Sequence, residues 1–161
     1  MQNLQHKNST MSDEEIIRRA TALAEDRSTL GELFGVEPQE LYGTASLALL
    51  LAAHGNMSEA HTLMDGLLAL SPRDGMLYTI FAEICHLEGD RESVKTLLDG
   101  STIYEGNGER ERIRRAELAY WCQERNLCER ELAELSTMPV DPQVTNRLDK
   151  LQKRMNSVNR G

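Results

Sequence analysis

The stretch SLALLLAAHGNMSEAHTLMDGLLALSP, residues 46–72, decides the fold of this chain. It consists of two apolar helical segments separated by Gly55 and a short polar run, and it ends near Pro72, through which a helix does not easily continue. The stretch is either one hairpin of an ordinary helical bundle or one unit of a repeat. The distinction matters for function, because stacked repeats build an extended concave binding face.

The same pattern returns 34 residues later. Residues 41–74 read LYGTASLALLLAAHGNMSEAHTLMDGLLALSPRD, and residues 75–108 read GMLYTIFAEICHLEGDRESVKTLLDGSTIYEGNG. Small, glycine and apolar positions coincide, and Gly55 aligns with Gly89. A 34-residue period with two helices per unit is typical of tetratricopeptide repeats. We therefore predict that Gly55 and Gly89 adopt the left-handed conformation that ends the first helix of each unit.

A third, divergent unit is expected after residue 108, where the apolar pattern continues less regularly. Asn126 is predicted at its turn in place of glycine. The spacing from Gly89 to Asn126 implies an insertion of about three residues relative to the period, which we place in the segment EGNGER. The second helix of this unit is predicted at residues 129–137, before Pro139.

A helix is predicted at each end of the repeats. Ser12 is expected to cap a first helix over residues 13–25, and a last helix is expected after Pro142. The last helix either covers the open face of the array or offers a coiled-coil partner site. Its apolar stripe consists of Val144, Leu148, Leu151 and Met155.

The predicted fold class is all-α, an α-solenoid of tetratricopeptide-like helical-hairpin repeats with an N-terminal helix and a C-terminal capping helix. The predicted organisation is a disordered N-terminus at 1–11, an N-terminal helical region at 12–36, a tetratricopeptide-like repeat domain at 37–139, and a C-terminal helix and tail at 140–161.

Composition favours a cytoplasmic protein. The 161 residues are 40% hydrophobic but only 4% aromatic, which favours a helical core of Leu, Ala, Ile and Met. A net charge of −8 argues against nucleic-acid binding, which needs a basic face. No apolar run is long enough to insert stably in a membrane, and the start MQNLQHKNST lacks the apolar region of a signal peptide. Cys85, Cys122 and Cys128 are expected to be reduced and mostly buried.

The sequence offers little support for catalysis. It contains no glycine-rich phosphate loop, nucleophile elbow or metalloprotease motif. His54 and His61 lie on opposite sides of the turn at Gly55, and the adjacent residues Cys85 and His86 point in different directions on a helix. We therefore expect no enzyme, no cofactor and no metal.

The run ERERIRRAELAYWCQER, residues 109–125, mixes arginines with acidic residues. The interleaved signs predict a salt-bridged helix face and not a phosphate-binding patch. Trp121 is interpreted as packed between repeat units, with a ligand platform as the alternative.

Peptide binding is the function that a repeat predicts, because the first helices of the units line a groove with apolar pockets. Leu47 and Leu51 are expected to face the partner helix, and Leu49 the groove. Glu83 is expected either to bind a basic group of a ligand or to be solvated. The alternative for several groove residues is packing against the N-terminal or final helix. The predicted groove residues are Tyr42, Ala45, Leu49 and Ala52 in the first unit, Met76, Thr79, Glu83 and His86 in the second, and Ile113, Ala116, Tyr120 and Gln123 in the third.

The chain resembles the class II chaperones of bacterial type III secretion. The stretch GVEPQELYGTASLALLLAAHGNMSEAHTLMDGLLALSPRD, residues 35–74, is similar to the start of that family's first repeat, with a Leu-Tyr pair, a small-residue helix, a glycine turn, then Glu-Ala and an apolar helix. The resemblance covers roughly residues 12–137. It implies a cytosolic chaperone that uses no nucleotide and holds a short extended segment of a secreted translocator in its groove. Many members self-associate, often through N-terminal helices.

Departures from the family pattern leave other partners open. Val94 and Ser101 stand where small or apolar residues are usual, and groove aromatics are sparse. A needle or filament subunit is therefore an alternative client. A further alternative is a regulatory or scaffold protein that docks onto a secretion-apparatus component or a transcription factor.

Overall fold

The computed structural model describes residues 12–25, 28–104 and 108–158, and the predicted disorder of residues 1–11 lies outside them. The described chain is all-α, with nine helices and no strand, which confirms the predicted fold class. The helices are α1 Asp13–Ala24, α2 Leu30–Leu33, α3 Pro38–Ala53, α4 Met57–Leu70, α5 Gly75–Glu88, α6 Arg91–Ile103, α7 Glu109–Cys122, α8 Arg125–Ser136 and α9 Pro142–Val158. None of these helices is long and apolar enough to cross a membrane.

Three helical hairpins, α3–α4, α5–α6 and α7–α8, follow one another with a constant period. A residue with positive φ follows the first helix of each hairpin within two positions, and these residues are spaced by 34 positions: Gly55, Gly89 and Gln123. The second helices α4, α6 and α8 begin with the same spacing. The predicted left-handed conformation of Gly55 and Gly89 is therefore confirmed, with φ values of 87° and 82°.

The third unit contains no insertion relative to this period, so its predicted register is wrong. Its turn lies at Gln123 and not at Asn126, and α8 begins at Arg125 and not at residue 129. Among the described residues Gln123 is the only non-glycine with positive φ, at 66°. A side chain in this conformation is strained by about 1 kcal/mol. Because a glutamine and not a glycine occupies this position, the turn had no glycine signal in the sequence.

The buried positions of the three units also repeat with the period. On the first helices one fully buried row consists of Ala48, Ala82 and Ala116. On the second helices an equivalent fully buried row consists of Ala60, Val94 and Cys128. Small side chains in these rows allow the paired helices to approach closely, which is what fixes the hairpin geometry.

The leucines of α3 divide differently from the prediction. Leu47 is 50% exposed, whereas Leu49 and Leu51 are partly buried against the core, so the prediction that Leu47 faces the partner helix is wrong. Alanines, and not leucines, occupy the contact between α3 and its neighbouring helices, because closely packed helices leave room for little more than a methyl group. The buried stripe of α3 consists of Leu41, Ala45, Ala48 and Ala52.

The last helix, α9, packs against α7. Val144 and Leu151 are buried, and Leu148 and Met155 pack on the core, so the predicted apolar stripe is confirmed. The stripe covers the open side of the third unit, as a capping helix does. At the other end, Ser12 caps α1 as predicted, accepting a hydrogen bond from the N–H of Glu15 at 3.3 Å.

Candidate peptide-binding groove

Five of the predicted groove residues are buried and have no surface to offer a ligand, so their assignment to the groove lining is corrected. Thr79 shows the reason: its hydroxyl shares a 2.6 Å hydrogen bond with the buried hydroxyl of Ser101 on α6, inside its own hairpin. This bond also accounts for the polar residue at position 101, because each buried hydroxyl satisfies the other. The five buried residues are Ala45, Ala52, Thr79, Ile113 and Ala116.

Six predicted residues keep part of their surface and form what we call the groove face: Tyr42, Leu49, Met76, Glu83, His86 and Tyr120. They lie on α3, α5 and α7, the first helices of the three units. Gln123 is exposed and ends α7. The groove face stays the candidate site for a peptide.

The corrected register adds two residues that the sequence analysis missed. The third-unit equivalents of Met76 and Glu83 are Arg110 and Glu117, 34 positions further on. Ala116 entered the prediction only through the three-residue shift, which displaces a helical position by nearly one turn. If the 34-residue period had been extended unchanged into the third unit, it would have identified Glu117 as a groove residue.

Opposite charges alternate across the second and third units of the groove. The Glu83 carboxylate pairs with Arg114 of α7 at 3.3 Å. Glu117 accepts a 3.0 Å hydrogen bond from Nε of Arg147, which comes from α9. Burial raises the pKa of Glu83, while Arg114 and Arg147 act in the opposite direction. These charges are therefore largely compensated before any ligand arrives.

A cavity of about 580 Å³ lies where α3, α5 and α7 begin. Tyr42 and Met76 line it together with the apolar residues Val36 and Leu41. The Tyr42 hydroxyl donates a 2.9 Å hydrogen bond to Asp74, and burial together with this bond raises the pKa of Tyr42 to about 12. The phenol therefore stays a neutral donor at the rim of a partly apolar cavity.

Glu111 also lines this cavity and was not predicted. Its side chain is buried, and one oxygen accepts a 3.4 Å hydrogen bond from the N–H of Gly108. The other oxygen has no hydrogen-bond partner among the described residues. Burial raises the pKa of Glu111, and the nearby Arg115 opposes that shift. The only sequence signal was its position three residues after Gly108, where an acid caps a helix.

Trp121 packs between units, as interpreted from the sequence. Its ring meets the edge of His86 on α5, with centroids 4.3 Å apart, and the guanidinium of Arg91 on α6 lies 5.0 Å from the ring centroid. These contacts tie the end of α7 to the turn of the preceding unit.

The arginines of α7 are ion-paired as predicted, but with acids of other elements. Not all of these ion pairs lie at the surface, because Arg115 and its partner Glu131 are buried. The pairs are Arg110 with Asp141, Arg112 and Arg115 with Glu131, and Arg114 with Glu83.

The three cysteines are free and buried, as expected. Burial is the leading cause that raises the pKa of each thiol: Cys85, Cys122 and Cys128.

No family model and no curated protein matches the sequence. Solved structures do match the fold. The type III secretion translocator chaperone SycD of Yersinia enterocolitica aligns with a TM-score of 0.62 and 15% identity, over 81% of this chain and 98% of SycD. A chain of a T3SS complex from Aeromonas hydrophila aligns with a TM-score of 0.66 and 15% identity, over 88% of this chain and 95% of that one.

A chain of the CopN-Scc3 complex aligns more distantly, with a TM-score of 0.57 and 9% identity, over 78% of this chain and 75% of the other. Three repeat hairpins lie between an N-terminal helix and a capping helix, and they align with nearly the whole of SycD, so this chain shares the tetratricopeptide-like fold of SycD.

Proposed function

We propose that the protein is a bacterial cytoplasmic chaperone of type III secretion that binds an extended apolar segment of a secreted translocator on the groove face and keeps it soluble before export. The observation that carries the proposal is the fold shared with SycD, described as a translocator chaperone, over 98% of its length. In this proposal the protein acts by binding its client, without catalysis and without a nucleotide.

The uneven chemistry of the groove face suggests how a client segment would lie. Leu49 of the first unit has Glu83 and Glu117 as its equivalents in the second and third units. An apolar anchor of the client would therefore pack near Leu49 and Tyr42, where no ion pair has to be displaced. Polar parts of the segment would follow the compensated charges of α5, α7 and α9.

Self-association through the N-terminal region is part of the proposal. Ile17 of α1 and Phe34 beside α2 are large apolar side chains that stay exposed in the single chain. Covering them against a second copy would remove apolar surface from water.

Replacement of Leu49 by glutamate tests the groove assignment. The fold should tolerate this change because Glu83 and Glu117 occupy the equivalent positions. In co-expression with the translocators of the same genome, Leu49→Glu should lower client affinity at least about tenfold. Binding would then bury a carboxylate under the client, where the wild-type chain makes an apolar contact. The matched control is Leu47→Glu on the same helix, where the side chain points to another face.

The measurement is client recovery after affinity purification, followed by titration with the purified client segment. Thermal melting followed by circular dichroism is used to check that both variants are folded. Client binding unchanged in Leu49→Glu would overturn the groove assignment. Recovery of a needle or filament subunit in place of a translocator with the wild-type chain would overturn the client class.

A further inference from the structure

Three side chains of metal-binding type converge at the junction of the first and second units, away from the groove face. They are His61 on α4, and Cys85 and Glu88 on α5. One ligand atom of each lies within 4.8 Å of the other two, and Nε2 of His61 is 2.7 Å from a carboxylate oxygen of Glu88. Cys85 and Glu88 are three residues apart, which places both on one side of their helix.

The cluster is enclosed on one side and open on the other. Cys85 is buried, and the ring of Phe81 meets the His61 imidazole edge-on, with centroids 5.1 Å apart. His61 and Glu88 keep 35% and 30% of their side-chain surface exposed, so an ion can enter from solvent. The contact with Phe81 and the hydrogen bond to Glu88 restrict the orientation of the imidazole before any ion binds.

The surroundings are acidic. Burial is the main cause that raises the pKa of Cys85 to about 11, and the negative charges of Glu88, Asp90 and Asp65 raise it further. The thiol is therefore protonated at neutral pH in the metal-free chain. These same carboxylates would stabilise a divalent cation beside the sulfur, and such a cation favours the thiolate.

We propose that His61, Cys85 and Glu88 bind a zinc ion, with water in the fourth position. The combination of imidazole, thiolate and carboxylate suits zinc better than the harder cations calcium and magnesium. In a tetrahedral zinc site the ligand atoms lie roughly 3–4 Å apart, so small side-chain rotations are enough to close the cluster.

Binding requires no redox partner. The Zn–S bond forms as the S–H bond of Cys85 breaks, and the proton passes to solvent. The ion then joins α4 of the first unit to α5 of the second, so that zinc stabilises the junction between the two units.

Cobalt provides the direct test, because a cobalt–thiolate bond gives a near-ultraviolet charge-transfer band that imidazole and carboxylate ligands do not. The chelator-treated, untagged full-length chain is titrated with Co²⁺, and Zn²⁺ is then added in competition. We expect the band to form with one equivalent of Co²⁺ and to vanish with Zn²⁺. Cys85→Ala should abolish the band, and Glu88→Gln should weaken Co²⁺ binding at least about tenfold.

Cys122→Ala is the matched control, since Cys122 is equally buried but has Arg91 and Lys95 as neighbours. Its titration should equal that of the wild-type chain. The absence of a charge-transfer band in the wild-type chain would overturn the proposal, as would a band that persists in Cys85→Ala. If Cys85→Ala does not fold, the partly exposed and isosteric Glu88→Gln decides, and unchanged Co²⁺ affinity in that variant overturns the site.

Discussion

At the scale of single residues, two equivalent glycines have different surroundings. Gly66 on α4 and Gly100 on α6 are 34 positions apart in the repeat. A methyl group added at Gly66 would meet no atom within 4 Å, whereas at Gly100 it would lie 2.6 Å from the ring of Tyr78. That ring is held by stacking on Tyr104, with centroids 5.7 Å apart. The glycine is therefore required sterically in one unit only.

We expect Gly66→Ala to stabilise the protein by about 0.5–1 kcal/mol, because alanine is the better helix former and has free space there. Gly100→Ala should destabilise it by about 1–3 kcal/mol, because the methyl group overlaps the Tyr78 ring. Urea unfolding monitored by circular dichroism measures both changes. Equal effects of the same sign at the two positions would contradict the steric difference.

At the scale of the elements, a buried charge cluster joins the two helices of the third unit. Glu131 on α8 accepts hydrogen bonds from Arg112 at 3.1 Å and from Arg115 at 3.0 Å, both on α7. Glu131 and Arg115 are buried. A buried charge is tolerated only with its partner, so this cluster opposes any sliding of α8 along α7.

Glu131→Gln should therefore destabilise the protein by about 3–5 kcal/mol, since it removes the buried carboxylate charge that Arg112 and Arg115 share. Glu129 on the same helix is the matched control, because it forms an exposed pair with Arg125 four residues earlier. Glu129→Gln should cost about 0.5 kcal/mol or less. Chemical unfolding provides the comparison, and similar losses for the two variants would show that the buried pairing adds nothing beyond a surface ion pair.

At the scale of the whole molecule, large apolar side chains remain exposed at separate places. Phe34 in the N-terminal region is 74% exposed, and Ile103 at the end of α6 is 70% exposed. Exposed apolar residues that group together mark interaction surfaces, whereas isolated ones are common on soluble proteins. Phe34 shares the N-terminal region with Ile17, while Ile103 lies at the end of the second unit.

The oligomeric state tests this difference. We expect the full chain to form a dimer whose dissociation is measurable by sedimentation velocity over a range of concentrations. Phe34→Ser should shift the equilibrium to the monomer, because it removes apolar surface that the second copy would cover. Ile103→Ser, at a side chain of similar exposure, should leave the equilibrium unchanged. A wild-type chain that is monomeric throughout would exclude self-association through the N-terminal region.

Much of the fold follows from the sequence by itself, because the decisive interactions are local. Pro38 begins α3, Gly55 and Gly89 end the first helices with positive φ, and the apolar spacing of α9 identifies the side that is buried. Each of these features depends on residues within one or two helical turns. The 34-residue period then determines which helices are equivalent, and with it the all-α repeat architecture.

Only the tertiary structure decided which side chains face a neighbouring helix and how closely the two helices pack. Alanines and not Leu47 fill the hairpin contact, because the distance between packed helices sets the side-chain size that fits. The turn at Gln123 is held without glycine. His61 meets Glu88 across 27 positions of sequence, a pairing that no local pattern encodes. The helices are determined by interactions between residues close in sequence, whereas the candidate sites depend on how closely residues of different helices pack.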